Sequence, residues 1–379
     1  MPFTHHRSQI TNSRVRWFGL VFLCLALALS ASVSPGLTQG ATRPVLFALQ
    51  RSERLHAFDA ETLQHLGHFV TGPLGDSLGA RADGRMLFLL QQSSDSPNSC
   101  CSLRSLDLAT REMCVVGEFA AGTIHVNAGV VTSGQAVYDT TVRTGVRVPY
   151  ASFNSYAARP SSDGRYTAWV DRGPLLVLTT LATGAQQTIP IPEGAQAVDW
   201  VGDRFLILAA GPGKGRLWAV APSDAALPAP REVTWPDADS RLGLSFVLGS
   251  DLVIYTGFGG HRMVDLRDRT PGMPGGAIVI PSAGGAARRI APDIYFTRLI
   301  PGEDGRSLYA VESSPLEGPA KPVRLLRLDA QTGKVTTSVV LNDAKLFPDA
   351  AFDVWSLALS SVPENLVPRG QLRPAACTR

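Results

Sequence analysis

The chain has 379 residues, of which 45% are hydrophobic and 18% charged, and a formal net charge of +3. This is the composition of a globular protein long enough to bury a large core, as one large domain or two to three ordinary ones. The small net charge, with no basic stretch interleaved with aromatics, gives nucleic-acid binding no support. Only Lys214, Lys321, Lys334 and Lys345 of the 35 basic residues are lysines, a skew that fits a GC-rich genome better than phosphate recognition.

Residues 1–32 read as a targeting segment. Arg7, Arg14 and Arg16 precede the apolar run Trp17 to Leu29, and Ser30-Ala31-Ser32 supplies small residues where a signal peptidase could cut. The run is short for a spanning helix, so a cleaved signal peptide is preferred to a retained anchor. Residues 33–42 read as a flexible lead-in, 43–368 as the folded body and 369–379 as a C-terminal tail. The mature protein is expected to be secreted or periplasmic, with no membrane contact beyond the signal segment. Cysteine usage agrees with export: outside the apolar run lie Cys100, Cys101, Cys114 and Cys377. Four cysteines allow three pairings. The preferred one joins Cys114 to Cys100 or Cys101, which flank one predicted hairpin, and a bond between the adjacent Cys100 and Cys101 is the alternative. No CxxC or His-rich spacing favours a metal.

From there the chain repeats one pattern. Val45 to Val70 reads as three strands. Residues 76–118, 119–152, 153–194, 195–236, 242–292 and 295–341 each read as a further unit, and Phe352 to Leu359 as a lone strand. Two joints recur. Asp83-Gly84-Arg85, Asp163-Gly164-Arg165 and Asp304-Gly305-Arg306 each stand before an apolar strand, and Asp-Gly between apolar runs is a strong hairpin signal. The second joint is Asp329-Ala330-Gln331-Thr332-Gly333, with relatives at Asp59 to Thr62, Asp107 to Thr110, Thr141 to Gly145 and Thr180 to Gly184. Its short polar side chain bonds the backbone to start the turn, and glycine accepts positive φ to finish it. Marker residues Thr62, Thr110, Thr144, Thr183, Asp224, Ala283 and Thr332 are 48, 34, 39, 41, 59 and 49 apart, averaging 45. That is the period of four-stranded propeller blades. The expected fold is all-β: a seven-bladed propeller of four-stranded antiparallel blades, whose C-terminal strand completes the N-terminal blade and closes the ring.

Asp-Gly-Arg before one strand and Leu-Asp-x-x-Thr-Gly before another resemble the YVTN/WD40-like bacterial β-propeller superfamily over roughly residues 45–360. The resemblance implies the fold. Its members include lactonases, dehydrogenase subunits, adhesive proteins and scaffolds, so it does not imply one activity.

Few motifs carry chemistry. Gly75-Asp76-Ser77-Leu78-Gly79 matches a nucleophile pattern, but Ser77 enters a strand and no Asp-x-x-His follows near the C-terminus. Gly211-Pro212-Gly213-Lys214-Gly215 lacks the spacing of a phosphate loop and reads as a turn. His65 and His68 flank Leu66-Gly67; they read as solvent-facing strand residues in preference to a metal pair. Residues 257–276 form the longest insertion, carrying His261 and several charges. Its self-paired, solvated reading is preferred to a binding loop. Aligning the units on Asp83, Asp163, Asp203 and Asp304 places Asp76, Tyr156, Gln196 and Thr297, with Arg298, at the mouth of a central channel. There they are the candidate ligand-binding ring, although the reading in which they merely solvate the channel is preferred.

No catalytic residue, metal ligand or cofactor is assigned from sequence. The expected function is a non-enzymatic binding or scaffold protein, with another protein or a small ligand at the propeller face. The alternative is a propeller enzyme, a lactonase-like hydrolase or redox subunit, working at the channel mouth.

Overall fold

The computed structural model describes residues 42–50, 54–71, 74–81, 83–92, 101–120, 124–127, 129–133, 136–139, 146–148, 158–171, 173–211, 213–235, 244–255, 275–313, 323–341, 354–364, 370–371 and 373–374. The chain divides into two compact units, Met1–Thr42 and Arg43–Arg379. The second is the propeller. Among the described residues there is no α-helix, and no helix long and apolar enough to cross a membrane.

Strands β1 (Thr42–Gln50), β2 (Arg54–Asp59) and β3 (His65–Val70) make three-quarters of the first blade. The second blade is β4 (Leu74–Ala80), β5 (Met86–Gln92), β6 (Cys101–Asp107) and β7 (Glu112–Ala120). The third is β8 (Ile124–Asn127), β9 (Val130–Ser133), β10 (Ala136–Asp139) and β11 (Val146–Val148), and the fourth is β12 (Arg159–Pro160), β13 (Tyr166–Asp171), β14 (Leu175–Thr180) and β15 (Gln186–Pro190). The fifth is β16 (Gln196–Val201), β17 (Arg204–Gly211), β18 (Lys214–Val220) and β19 (Arg231–Thr234). The sixth holds β20 (Leu244–Leu248), β21 (Asp251–Tyr255), β22 (Ala277–Pro281) and β24 (Arg288–Ile290), while the short β23 (Gly285–Ala286) pairs parallel with β19 of the fifth. The seventh is β25 (Tyr295–Pro301), β26 (Ser307–Ser313), β27 (Arg324–Asp329) and β28 (Val335–Val340). Finally β29 (Val354–Pro363) joins β1 as the first strand of the first blade. The ring is closed. The first strands touch in the cycle β29, β4, β8, β12, β16, β20, β25 and back to β29.

The recurrent joints form the turns that their sequences imply. Asp83, Asp163 and Asp304 each accept a bond at Oδ1 from the backbone N–H two residues on, at 3.1, 3.0 and 2.9 Å. The following glycines take φ of 68°, 69° and 63°. At the other joint Asp59 Oδ1 accepts from Thr62 N–H and Oγ1–H at 2.8 Å, and Asp329 repeats this with Thr332 at 2.7 and 2.6 Å. These bonds hold the Asp59 and Asp329 carboxyls below the usual range.

Blades pack face to face, so both faces of the middle strands are buried and their sequences run apolar instead of alternating. Phe47 and Leu49 of the first blade meet Leu87 and Leu89 of the second. Trp200 and Phe205 of the fifth meet Leu176 and Leu178 of the fourth. Outermost strands alternate, as β28 does from Val335 to Val340. The closing strand is tied on both sides: Ser356 Oγ accepts from Leu78 N–H at 3.2 Å, and Ser361 Oγ donates to Glu303 at 2.5 Å.

The tail does not stop at closure. After β29, β30 (Gly370–Gln371) pairs parallel with β3, and β31 (Arg373–Pro374) pairs parallel with β7. The chain thus crosses from the outer edge of the first blade to that of the second.

Candidate metal centre

The two outer strands of the first blade carry a histidine cluster. Across β2 and β3, His56 stands directly opposite His68 and Phe58 opposite His65, with a bulge between. In a regular strand residues three apart point to opposite faces. The bulge adds one residue, Leu66, and Gly67 adopts φ 145°, so His65 and His68 come to the face shared by His56 and Phe58. His56 is 3% exposed; His65 and His68 are half-buried.

The ring geometry is compact. The His56 ring centroid lies 5.2 Å from that of His65 and 5.4 Å from that of His68, and the His65 and His68 rings stack at 6.5 Å. One nitrogen from each falls within 4.8 Å of the others. Gln50, at the end of β1 and 2% exposed, accepts a 2.8 Å bond from His56 Nε2 through its Oε1. That puts the His56 proton on Nε2 and the lone pair on Nδ1, which faces His65 Nε2 at 3.1 Å. Ligand nitrogens arranged tetrahedrally about 2.05 Å from a zinc ion stand about 3.3 Å apart. The His56–His65 spacing therefore fits an imidazole pair sharing one ion. A buried carbonyl-type oxygen holding the far N–H is also how proteins fix the tautomer of a metal-binding histidine.

The electrostatics favour the neutral ring, which is the binding form. Burial first, then His65, His68 and Arg54, holds the His56 imidazole down at about 3. Burial and His68 also lower His65, against a bond from the Gly67 backbone that raises it. Arg54 is the one cation in this set, and it opposes a metal as it opposes a proton.

From the sequence, His65 and His68 are expected to be solvent-facing strand residues. The structure adds His56 and half-buries the pair. The readable signal was the glycine beside the two histidines, which marks a bulge, and a histidine at the opposed position of the preceding strand.

The other predicted residues are placed as follows. Asp76, Gln196, Thr297 and Arg298 lie on the innermost strands β4, β16 and β25; Tyr156 and the side chain of Asp76 lie outside the described residues. Thr297 Oγ1 donates to Val311 O at 3.2 Å and Arg298 Nη1 to Thr297 O at 2.7 Å, so these two are engaged by their own sheet. Ser77 is buried, and its Oγ accepts from Ile124 N–H at 2.8 Å, tying the second blade to the third as no free nucleophile would. Gly211 to Gly215 is the β17–β18 hairpin, as expected. The insertion 257–276 lies outside the described residues except for Gly275 and Gly276.

Cys114 is 1% exposed on β7. Its strand partner is Ser105, whereas Cys101 is opposite Ala120. Those positions are four residues apart along β6, about 13 Å, while disulfide Cα atoms stand about 4.4–6.8 Å apart. On this register Cys101 stands well away from Cys114 along the sheet. Cys100, Cys377 and the side chain of Cys101 lie outside the described residues.

Three innermost strands carry a polar chain that the sequence did not reveal. Arg159 Nη1 lies 3.2 Å from His125 Nδ1 and 3.5 Å from Asp199 Oδ2. Burial pushes the Asp199 carboxyl up, while Arg159 and the Trp200 N–H pull it back. The Arg159 carbonyl accepts from Trp200 Nε1 at 2.8 Å, so the group ties the third, fourth and fifth blades together.

No protein-family model and no curated protein matches the sequence. Among solved structures, the chain is similar to a 6-phosphogluconolactonase-like protein of Bacteroides uniformis at 13% identity and TM-score 0.54, covering 84% of this chain and 99% of that one. It is similar to AztD of Citrobacter koseri at 14% identity and TM-score 0.52, covering 85% and 98%. A 6-phosphogluconolactonase-like protein of Bacteroides fragilis gives 12% identity and TM-score 0.51, covering 87% and 100%. At such identities the likeness establishes the fold alone: this chain is a seven-bladed β-propeller.

Proposed function

We propose that this protein is an exported β-propeller that binds a zinc-class divalent cation on the outer strands of its first blade, through His56, His65 and His68. The observation that carries the reading is the convergence of three imidazoles from two strands, with Gln50 holding His56 in the binding tautomer. Three neutral nitrogen donors suit zinc and its borderline neighbours, and leave a fourth position for water or another ligand. Half-buried His65 and His68 give the ion a route from solvent. The reading makes the protein a metal-binding module first. The YVTN/WD40-like resemblance is kept as the ancestry proposed for the fold and does not bear on the site.

The test is isothermal titration of chelator-treated protein with zinc chloride, beside His65→Gln and His68→Gln variants whose circular dichroism matches the parent. One ion per chain should bind, with affinity lower by at least roughly 100-fold in each variant, since even residues that merely orient a ligand change affinity 10–100-fold. No saturable binding, or equal binding by folded variants, would sink the reading.

A further inference from the structure

Cys114 is a half-cystine. The ladder between β6 and β7 sets Cys101 too far along the sheet to be its partner. The tail approaches from the other side. Its β31 lies parallel to β7 with Arg373 opposite Glu112 and Pro374 opposite Met113. Met113 immediately precedes Cys114, and Cys377 follows Pro374 by three residues. Three residues reach at most about 10 Å, enough to bring that cysteine to its neighbour across one strand spacing of about 4.8 Å.

From this register we infer that a disulfide joins Cys114 to Cys377. It fastens the end of the chain over the outer edges of the first two blades. The step is an oxidation: two thiols lose two electrons and two protons and form one S–S bond. The electrons pass by thiol–disulfide exchange to a protein disulfide of the exported compartment, which is reduced to two thiols. The clasp has two physical consequences. It closes a loop running from the second blade to the tail, and constraining long loops of the unfolded chain stabilises the folded one. It also keeps β30 paired along β3, with Gly370 opposite Phe69 and Gln371 opposite Val70, covering an edge that would otherwise offer open backbone groups. Phe69 directly follows His68, so the clasp backs the strand proposed to hold metal. The pairing itself does not depend on that proposal.

The test is peptide mapping by mass spectrometry of full-length protein exported into an oxidising compartment, alkylated before unfolding and digested without reductant. A cross-linked peptide pair containing Cys114 and Cys377 is expected, and it should disappear on reduction. A Cys100→Ser/Cys101→Ser variant should keep the cross-link, whereas Cys377→Ser should lose it and melt at a lower temperature. Cys114 found linked to Cys24, Cys100 or Cys101, or alkylated as a thiol, would overturn the pairing.

Discussion

At the scale of single residues, His56 and Gln50 decide the site. His56 is held down at about 3 in the fold, while the ordinary value is 6.5. Between those values the unfolded chain takes up a proton that the folded chain refuses. Stability from this group is therefore complete above about 7 and is lost as the pH falls toward 3. Metal-free protein should show a melting temperature that drops between pH 7 and pH 5, with a shallower drop in His56→Gln. Equal slopes would mean that His56 is not the buried group described. Gln50→Leu, in a variant whose circular dichroism matches the parent, removes the acceptor for His56 Nε2–H. Zinc affinity should fall by about 10–100-fold, as for other residues that orient a ligand. An unchanged affinity would show that the amide does not set the tautomer.

At the scale of the element, turns and bulges are the controlling features. Gly84 and Gly305 occupy the same joint in different blades, at φ 68° and 63°. A Cβ on Gly305 meets nothing within 4 Å, whereas one on Gly84 would lie 1.5 Å from the Ser361 carbonyl of the closing strand. Gly305→Ala should therefore cost only the left-handed strain of about 1–2 kcal/mol. Gly84→Ala should cost clearly more by chemical denaturation, and the difference measures the contact that seals the ring. These joints were legible because their chemistry is local: aspartate, glycine and threonine at fixed offsets dictate a turn without reference to the rest of the molecule. The histidine cluster was not, because it depends on a bulge and on cross-strand register. A one-residue change in either reverses which face a side chain occupies. Gly67, at φ 145° within that bulge, is the element's own test. Gly67→Val should weaken zinc binding strongly while far-UV circular dichroism stays that of the parent; unchanged binding would show that the bulge is dispensable.

At the scale of the whole molecule, the repeat period and the spare strand at Phe352 to Leu359 make the blade number and the closure readable from the sequence. The pairing of β29 with β1 realises that closure. Less visible were the contacts made by two-residue strands. Neither β30 on β3, β31 on β7, nor β23 on β19 leaves a periodic pattern in so few residues. Closure and clasp separate experimentally. Removing residues 350–379 deletes both and should abolish folding; removing 369–379 should leave a folded ring that melts at a lower temperature. A 350–379 deletion that stays monomeric with an unchanged melting temperature would contradict the closed ring.

The metal centre is the central claim, and diffraction at the zinc absorption edge from zinc-soaked crystals tests it most directly. The account predicts one anomalous peak at about 2.0–2.1 Å from His56 Nδ1, His65 Nε2 and a ring nitrogen of His68. An ion bound elsewhere on the propeller with these three histidines bare, or no peak at saturating zinc, would contradict it.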